Sequence, residues 1–228
     1  MKILQWNIHA WTDEDFKDST PNIITLITDL GPDLVSLNEV NEGYCDYSLL
    51  RMAKQLEYYY VFVPSLTYYL KGKKYRFGNV ILSKHLFSAV ESFTLTPATF
   101  VYDGNEKNEP RSITWLKLLN QERLGWFGST HLPRADHQVR ATALRNLADT
   151  IPDRTEKIVL AGDFNTGDKD MGPYFTGAVI VPRPPEVTYS CRNPREAIDH
   201  FVLWNIRSYN CRVIKNKSTD HFPLLLEI

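Results

Sequence analysis

The chain opens on an alternation. In residues 2–8 (KILQWNI), Ile3, Gln5 and Asn7 fall on one side, and Leu4, Trp6 and Ile8 on the other, which is the period of a β-strand. The period then lengthens. In STPNIITLITDLGPD, Ile23, Ile24, Ile27 and Leu30 recur at helical spacing; Thr20 is placed to cap the helix, Pro21 suits its first turn, and Gly31 and Pro32 end it. Residues 33–40 (DLVSLNEV) return to strand character. A strand–helix–strand unit predicts a parallel pair joined by a crossover.

A second helix is predicted over residues 48–56, followed by strand-like runs at 58–63, 79–83, 112–119 and 124–130. Asp136 is placed to cap a third helix, in which Val139, Ala143, Leu144 and Leu147 share a face. Residues 157–161 read as the next strand, and HFVLW (200–204), CRVIK (211–215) and PLLLEI (223–228) close the series. No internal repeat, low-complexity tract or linker interrupts it. Many strands with few helices point to an α/β fold built on two sheets.

Composition narrows the class. The 228 residues, 43% hydrophobic and 23% charged, fit one domain spanning residues 1–228 with a sizeable core. A net charge of −1 argues against nonspecific coating of nucleic acid and leaves a phosphate substrate open. The one basic cluster, KGKKYR (71–76), also reads as a solvated loop. Cys45, Cys191 and Cys211 are widely spaced, with no CxxC pair and no zinc spacing, as expected of ordinary thiols in a reducing compartment. No apolar run approaches the roughly 18 residues of a membrane span. The first residues are too interrupted for a signal peptide, so the expected location is cytoplasmic. Nothing in the sequence marks a protein partner.

The candidate chemistry sits where strands end. In IVLAGDFNTGD (158–168) the apolar run stops at Gly162, and alternation places Asp163 and Asn165 on one side with Phe164 turned the other way. Asn7, Glu39, Arg111, His131, Asp199 and the pair Asp220-His221 also lie at or beside predicted strand ends. Strand ends in α/β sheets converge on crevices that hold ligands. These are residue types that bind a hard cation and a phosphate. A calcium loop over Asp163-x-Asn165-x-Gly167 fails, because Asp168 and Tyr174 stand where that loop needs Gly and Glu. His9, His85, His137 and His200 read as ordinary histidines, with His200 pointing away from Asp199, and the tyrosines at 58–60 read as strand packing.

The motifs WNI (6–8), NEV (38–40), FGNVILS (77–83), STHL (129–132), GDFNT (162–166), IDHFVL (198–203) and STDHFPLLLEI (218–228), in that order, resemble the endonuclease/exonuclease/phosphatase superfamily of DNase I-like metal-dependent phosphoesterases. The resemblance runs from residue 6 to the C-terminus. It implies a four-layer α/β sandwich, two packed mixed β-sheets flanked by helices. It implies a divalent-metal-dependent hydrolase of phosphate esters with Mg²⁺ as cofactor and Mn²⁺ as a substitute. Residue by residue, Glu39 resembles the main metal ligand with Asn7 beside it, and Asp220 a second metal-linked acid. Asp163 resembles the residue that orients or deprotonates the attacking water, and Asn165 a donor to the scissile phosphate. His221 resembles the catalytic histidine with Asp199 as its carboxylate partner. His131 takes a place that is His in some branches and Tyr in others, and Arg111 resembles the phosphate-facing arginine.

The chain departs from the pattern at Asn38-Glu39, where many members read Gln-Glu, and ends on the variant motif Ser-Thr-Asp-His. Its short length implies trimmed recognition loops. The substrate stays open. Lys71, Lys73, Lys74 and Arg76 suit a nucleic acid, while LTYYL (66–70) and PATFVY (97–102) suit a lipid or sugar phosphate. A reading from another class, a catalytically silent interaction module, predicts lost ligands, and none is lost.

Overall fold

The alternation at the N-terminus folds as a strand, and its two faces meet different layers. The computed structural model describes residues 1–43, 49–96, 109–134 and 136–228. In chain order the strands are β1 Lys2–Asn7, β2 Leu34–Glu42, β3 Tyr59–Leu70, β4 Lys73–Ser83, β5 Phe87–Thr96, β6 Arg111–Leu118, β7 Trp126–His131, β8 Ile158–Asp163, β9 Val179–Val181, β10 Asp199–Trp204, β11 Asn210–Val213 and β12 Leu224–Glu227. The helices are α1 Thr20–Leu30, α2 Leu49–Gln55, α3 His137–Asp149 and the single turn α4 Asp168–Met171.

The strands form two sheets of six, ordered β11-β12-β1-β2-β4-β3 and β5-β6-β7-β8-β10-β9. The two orders follow one plan. Each sheet has a single parallel pair, β1 with β2 and β7 with β8, and every other pairing is antiparallel. Each parallel pair is joined by a helix, α1 or α3, as a parallel connection requires. The sequence shows no repeat, yet the topology is doubled.

The layers follow from side-chain parity. Leu4, Trp6 and Ile8 pack with Ile23 and Ile27 of α1, while Ile3 joins Leu116, Phe127, Val159 and Phe201 between the sheets. On the far side, Leu144 and Leu147 of α3 pack with Ile158, Leu160 and Val202. Helices therefore cover both outer faces, and an apolar seam joins the inner faces. This is the four-layer α/β sandwich. Toward one end the seam turns polar, where Ser36 and Ser129 meet across the sheets at 2.7 Å.

Gly31 ends α1 in the left-handed region (φ +56°) as the sequence implied, but the cap position at its start is Ser19, with Thr20 already helical and buried. Asp136 caps α3 with hydrogen bonds from the backbone N–H of Gln138 and Val139. The KGKKYR cluster is a hairpin rather than a solvated loop: Lys71 and Gly72 make the turn and Lys73 to Arg76 lie in β4. The LTYYL stretch is likewise part of β3. β5, an edge strand, is mostly exposed and its register is broken twice, so it carries little burial pattern and its sequence does not announce it. Cys45 and the PATFVY stretch lie outside the described residues. Among the described residues no helix is long and apolar enough to cross a membrane.

Candidate active site

At the C-terminal ends of the two parallel pairs, the inward faces deliver Asn7, His131 and Asp163 in regular alternation. Gly162 allows this. A Cβ there would stand 2.3 Å from the carbonyl oxygen of Thr130, so any side chain would push β8 away from β7. In the turn after β8, Phe164 is buried in the helix-side core and Asn165 turns back toward the site with φ +52°.

Glu39 arrives differently. Simple alternation would send it to the helix side, with Val35 and Leu37. The register of β2 against β4 shifts between Leu37 and Val40, and Glu39 adopts φ +57°. This bulge inserts a residue and turns the carboxylate into the site, where Oε1 accepts from Asn7 Nδ2 at 3.0 Å. A non-glycine residue in the left-handed region costs roughly 1–3 kcal/mol, held by its surroundings.

Asn38, one residue earlier, ties the halves together. Its Oδ1 accepts from the backbone N–H of Asp163 at 3.0 Å and from Gln5 Nε2 at 2.6 Å. Its Nδ2 donates to the Thr130 carbonyl at 2.9 Å and to Asn79 Oδ1 at 3.0 Å. The departure from Gln-Glu thus lies at a fully buried amide that joins the two sheets beneath the site.

Asp163 is at the centre, 1% exposed. Its Oδ2 accepts from Asn7 Nδ2 at 3.0 Å and lies 3.6 Å from His131 Nε2 and 3.7 Å from His221 Nε2. Burial pushes its pKa up to about 7, aided by the Asp199 charge, while His221 and the Asn7 hydrogen bond oppose the shift. His221 Nδ1 is 2.7 Å from Asp199 Oδ2. Burial alone would lower its pKa, but the carboxylates of Asp199 and Asp163 outweigh it and raise it to about 10. His221 is therefore an imidazolium at neutral pH, donating to Asp199.

His131 is the opposite case. Burial, with the charges of Arg111 and His221, lowers its pKa well below the ordinary value, so it is neutral. Arg111 Nη1 lies 3.1 Å from His131 Nδ1. A guanidinium only donates, so Nδ1 accepts and the ring proton sits on Nε2, facing Asp163 and, at 4.0 Å, Glu39. Asn165 Nδ2 donates to the Leu132 carbonyl at 2.9 Å, and its 3.2 Å approach to His131 Nε2 is a contact between two donors. One amide hydrogen of Asn165 is thus left for a ligand.

Asp220 is half-buried beside this group. Burial raises its pKa, and the Glu39 and Asp199 charges add to the effect against His221 and His9. Its Oδ1 is buried with no partner. Glu39 and Asp220 offer carboxylate oxygens, and the orphaned Asp220 acceptor fits a hard divalent cation; Asn7 turns Nδ2 to Glu39 and Asp163 while its Oδ1 accepts from the His9 N–H at 3.0 Å. Asp163, Asp199 and His221 also bring ligand atoms within 4.8 Å of one another. Of the three, Asp199 and His221 share a hydrogen bond of 2.7 Å, while His221 Nε2 lies 3.7 Å from Asp163, so the group is also compatible with a divalent metal.

All the predicted residues meet in one place. His200 does turn away: it is buried against Phe164, with Nε2 3.0 Å from the Ala197 carbonyl. The tyrosines at 58–60 divide, Tyr58 being buried and Tyr59 and Tyr60 exposed.

Sequence reasoning missed four supports. Thr219 Oγ1 donates to the Asn7 carbonyl at 3.0 Å and accepts from Trp6 Nε1 at 2.9 Å, locking the Ser-Thr-Asp-His turn to β1. Thr188 Oγ1 accepts from the backbone N–H of Asp199 at 3.1 Å. Tyr189 packs its ring on His221, with centroids 4.7 Å apart, and Arg134 covers Tyr189. Only the position of Thr219 inside a motif hinted at any of these.

The model of the Endonuclease/Exonuclease/phosphatase family matches residues 4–221. An endonuclease/exonuclease/phosphatase family protein from Leptotrichia buccalis is 20% identical, with a TM-score of 0.77 over 100% of this chain and 99% of that one. The mannosyl-6-phosphatase Bt3783 of Bacteroides thetaiotaomicron is 14% identical, with a TM-score of 0.70 over 100% and 98%. D. rerio TDP2 complexed with a single-strand DNA product is 15% identical, with a TM-score of 0.72 over 100% and 99%. At these identities the likeness is one of fold. No curated protein matches the sequence.

Proposed function

The chain belongs to the endonuclease/exonuclease/phosphatase family, and we propose that residues 1–228 form one catalytic domain, a Mg²⁺-dependent hydrolase of phosphate esters. The observation that carries this reading is the opposed protonation of two touching groups. Asp163, with a pKa raised to about 7, lies 3.7 Å from His221, whose pKa is raised to about 10. A base titrating near neutrality beside a fixed cation suits attack by water on an anionic phosphate.

Each residue then has a task. Asp163 takes a proton from the attacking water. His221, held charged and oriented by Asp199, faces the phosphate oxygens, as does the free amide hydrogen of Asn165, while the Nε2–H of His131 is turned toward Asp163. Arg111 fixes the His131 tautomer and adds positive charge at the rim. Glu39, Asn7 and Asp220 would hold Mg²⁺, which supplies Lewis-acid polarisation of the phosphoryl oxygen and offsets developing charge.

Two substrate classes remain within this reading, a nucleic acid strand and a small phosphate ester such as a sugar or lipid phosphate. Lys73, Lys74 and the 71% exposed Tyr69 on the β3–β4 hairpin favour the first. The near-neutral net charge of −1 favours the second. The assay that decides the reaction is turnover of bis-p-nitrophenyl phosphate with Mg²⁺ by the wild type and by Asp163→Asn. Turnover equal in both would overturn the assignment, and so would its complete absence across a panel of diesters and monoesters, the outcome expected of a silent interaction module.

A further inference from the structure

A second guanidinium reaches His221 by way of Tyr189, and the mechanism above gives it no task. The guanidinium carbon of Arg134 lies 4.5 Å from the centre of the Tyr189 ring, and Tyr189 packs in turn on His221. The contact chain Arg134–Tyr189–His221, its two rings tilted by 47°, leads from solvent to the catalytic histidine. Both outer members are anchored through their backbones. Arg140 of α3 donates Nη1 to the carbonyls of Arg134 at 2.7 Å and Pro133 at 3.1 Å. The backbone N–H of Tyr189 donates to the Glu196 carbonyl at 3.0 Å, and its carbonyl accepts from Glu196 at 3.1 Å.

The two arginines differ in occupation. Arg111 is paired with Glu109 at 3.2 Å and bonded to His131. Arg134 is exposed, and among the described residues no ion pair engages it. Partial burial opposes its charge, yet the Tyr189 phenol and the nearby carboxylates of Glu196 and Asp163 raise its pKa, so the cation lies within the electrostatic reach of the site's centre. The guanidinium lies over the Tyr189 ring and shares a hydrogen bond with its phenol, and with five N–H donors it keeps others for a phosphate, which a guanidinium can take in bidentate fashion.

We propose that Arg134, presented on Tyr189, is a subsite for a second phosphate group of the substrate, next to the one that is hydrolysed. This rests on the phosphoesterase reading and narrows it to substrates that carry a second phosphate group. Such a pair occurs in a bisphosphorylated small molecule and in a nucleic acid strand, and the chemistry at Arg134 is the same for both.

The test reads binding, by calorimetry at fixed Mg²⁺ in an Asp163→Asn background that blocks turnover. One arm compares fructose 6-phosphate with fructose 1,6-bisphosphate. The other compares the thymidine dinucleotide TpT with its 5′-phosphorylated form pTpT. In at least one arm, the second phosphate is expected to tighten binding tenfold or more. That gain should fall below about threefold in Arg134→Ala and return in part in Arg134→Lys. The arm that shows it identifies the source. An undiminished gain in Arg134→Ala, or no gain in either arm with Arg134 present, overturns the proposal. If Arg134→Ala does not fold, Arg134→Gln gives the same reading with the side chain's length kept. An Arg134-dependent gain in a protein that hydrolyses no ester would leave the subsite standing and remove the hydrolase, whereas turnover with no Arg134-dependent gain would do the reverse.

Discussion

The units β1–α1–β2 and β7–α3–β8 share one topology and arm the site in different ways. In the second unit His131 and Asp163 are register partners at the end of a regular parallel ladder, and both are buried. In the first, Asn7 pairs with Asn38, and the chain then breaks its own register to bring Glu39 into the site from a left-handed backbone, half-exposed. Only one half leaves the regular pleat. The regular half fixes buried dipoles and proton positions, where a shift of a few tenths of an ångström would matter to proton transfer. The irregular half holds the Glu39 carboxylate nearer the solvent edge, where a cation can enter with some of its waters.

The comparison can be broken most decisively on the regular side. Asp163→Asn is expected to lower turnover of bis-p-nitrophenyl phosphate by about 10³-fold or more, as loss of a general base does at most sites. A loss under tenfold would move the chemistry elsewhere.

The next effect is on stability. His221 has a folded pKa of about 10 against an ordinary 6.5, so its favourable contribution is complete below pH 6.5 and is lost as pH rises through 10. Denaturant unfolding without added metal should show a fall on the order of 3 kcal/mol between pH 6 and pH 10, flattened in Asp199→Asn. An unchanged slope in that variant would deny the pairing its electrostatic role.

On the irregular side the effects are smaller and concern the metal. Glu39→Gln should raise the Mg²⁺ concentration for half-maximal activity by roughly 10–100-fold while leaving the fold intact, checked by metal titration and thermal unfolding. A change in maximal rate with no change in metal demand would place Glu39 in the chemistry instead. Smallest is the backbone itself. Glu39→Gly should be more stable than Glu39→Ala by about 1 kcal/mol, because glycine adopts φ +57° without steric cost. The opposite order would mean that the bulge collapses once its carboxylate is gone.

Sequence and structure agree where a residue's role follows from strand parity. Asp163, His131 and Asn7 are legible because apolar alternation carries through to the strand end without interruption. Glu39 reads as a polar residue at a strand end, but only likeness to known motifs turns it into the site, since parity puts it on the wrong face and no residue type announces the bulge. Asn38 was noted as a departure, but its place between the sheets depends on Thr130, Gln5 and Asp163, which no local pattern connects. Arg134 and Tyr189 stand 55 positions apart in irregular segments, where neither period nor composition signals a contact. Strand lengths failed for a similar reason: β3 and β4 run on as a hairpin beyond the core, where burial no longer writes a pattern.

The hydrogen bond from the Asp163 amide to Asn38 has a further consequence. It crosses from one sheet to the other in a fully buried place, so that hydrogen can exchange with solvent only when the seam parts. Its exchange rate in deuterated water would therefore time the slow separation of the two sheets, and a tight ligand that slowed this one amide would reveal itself as a clasp across the whole molecule.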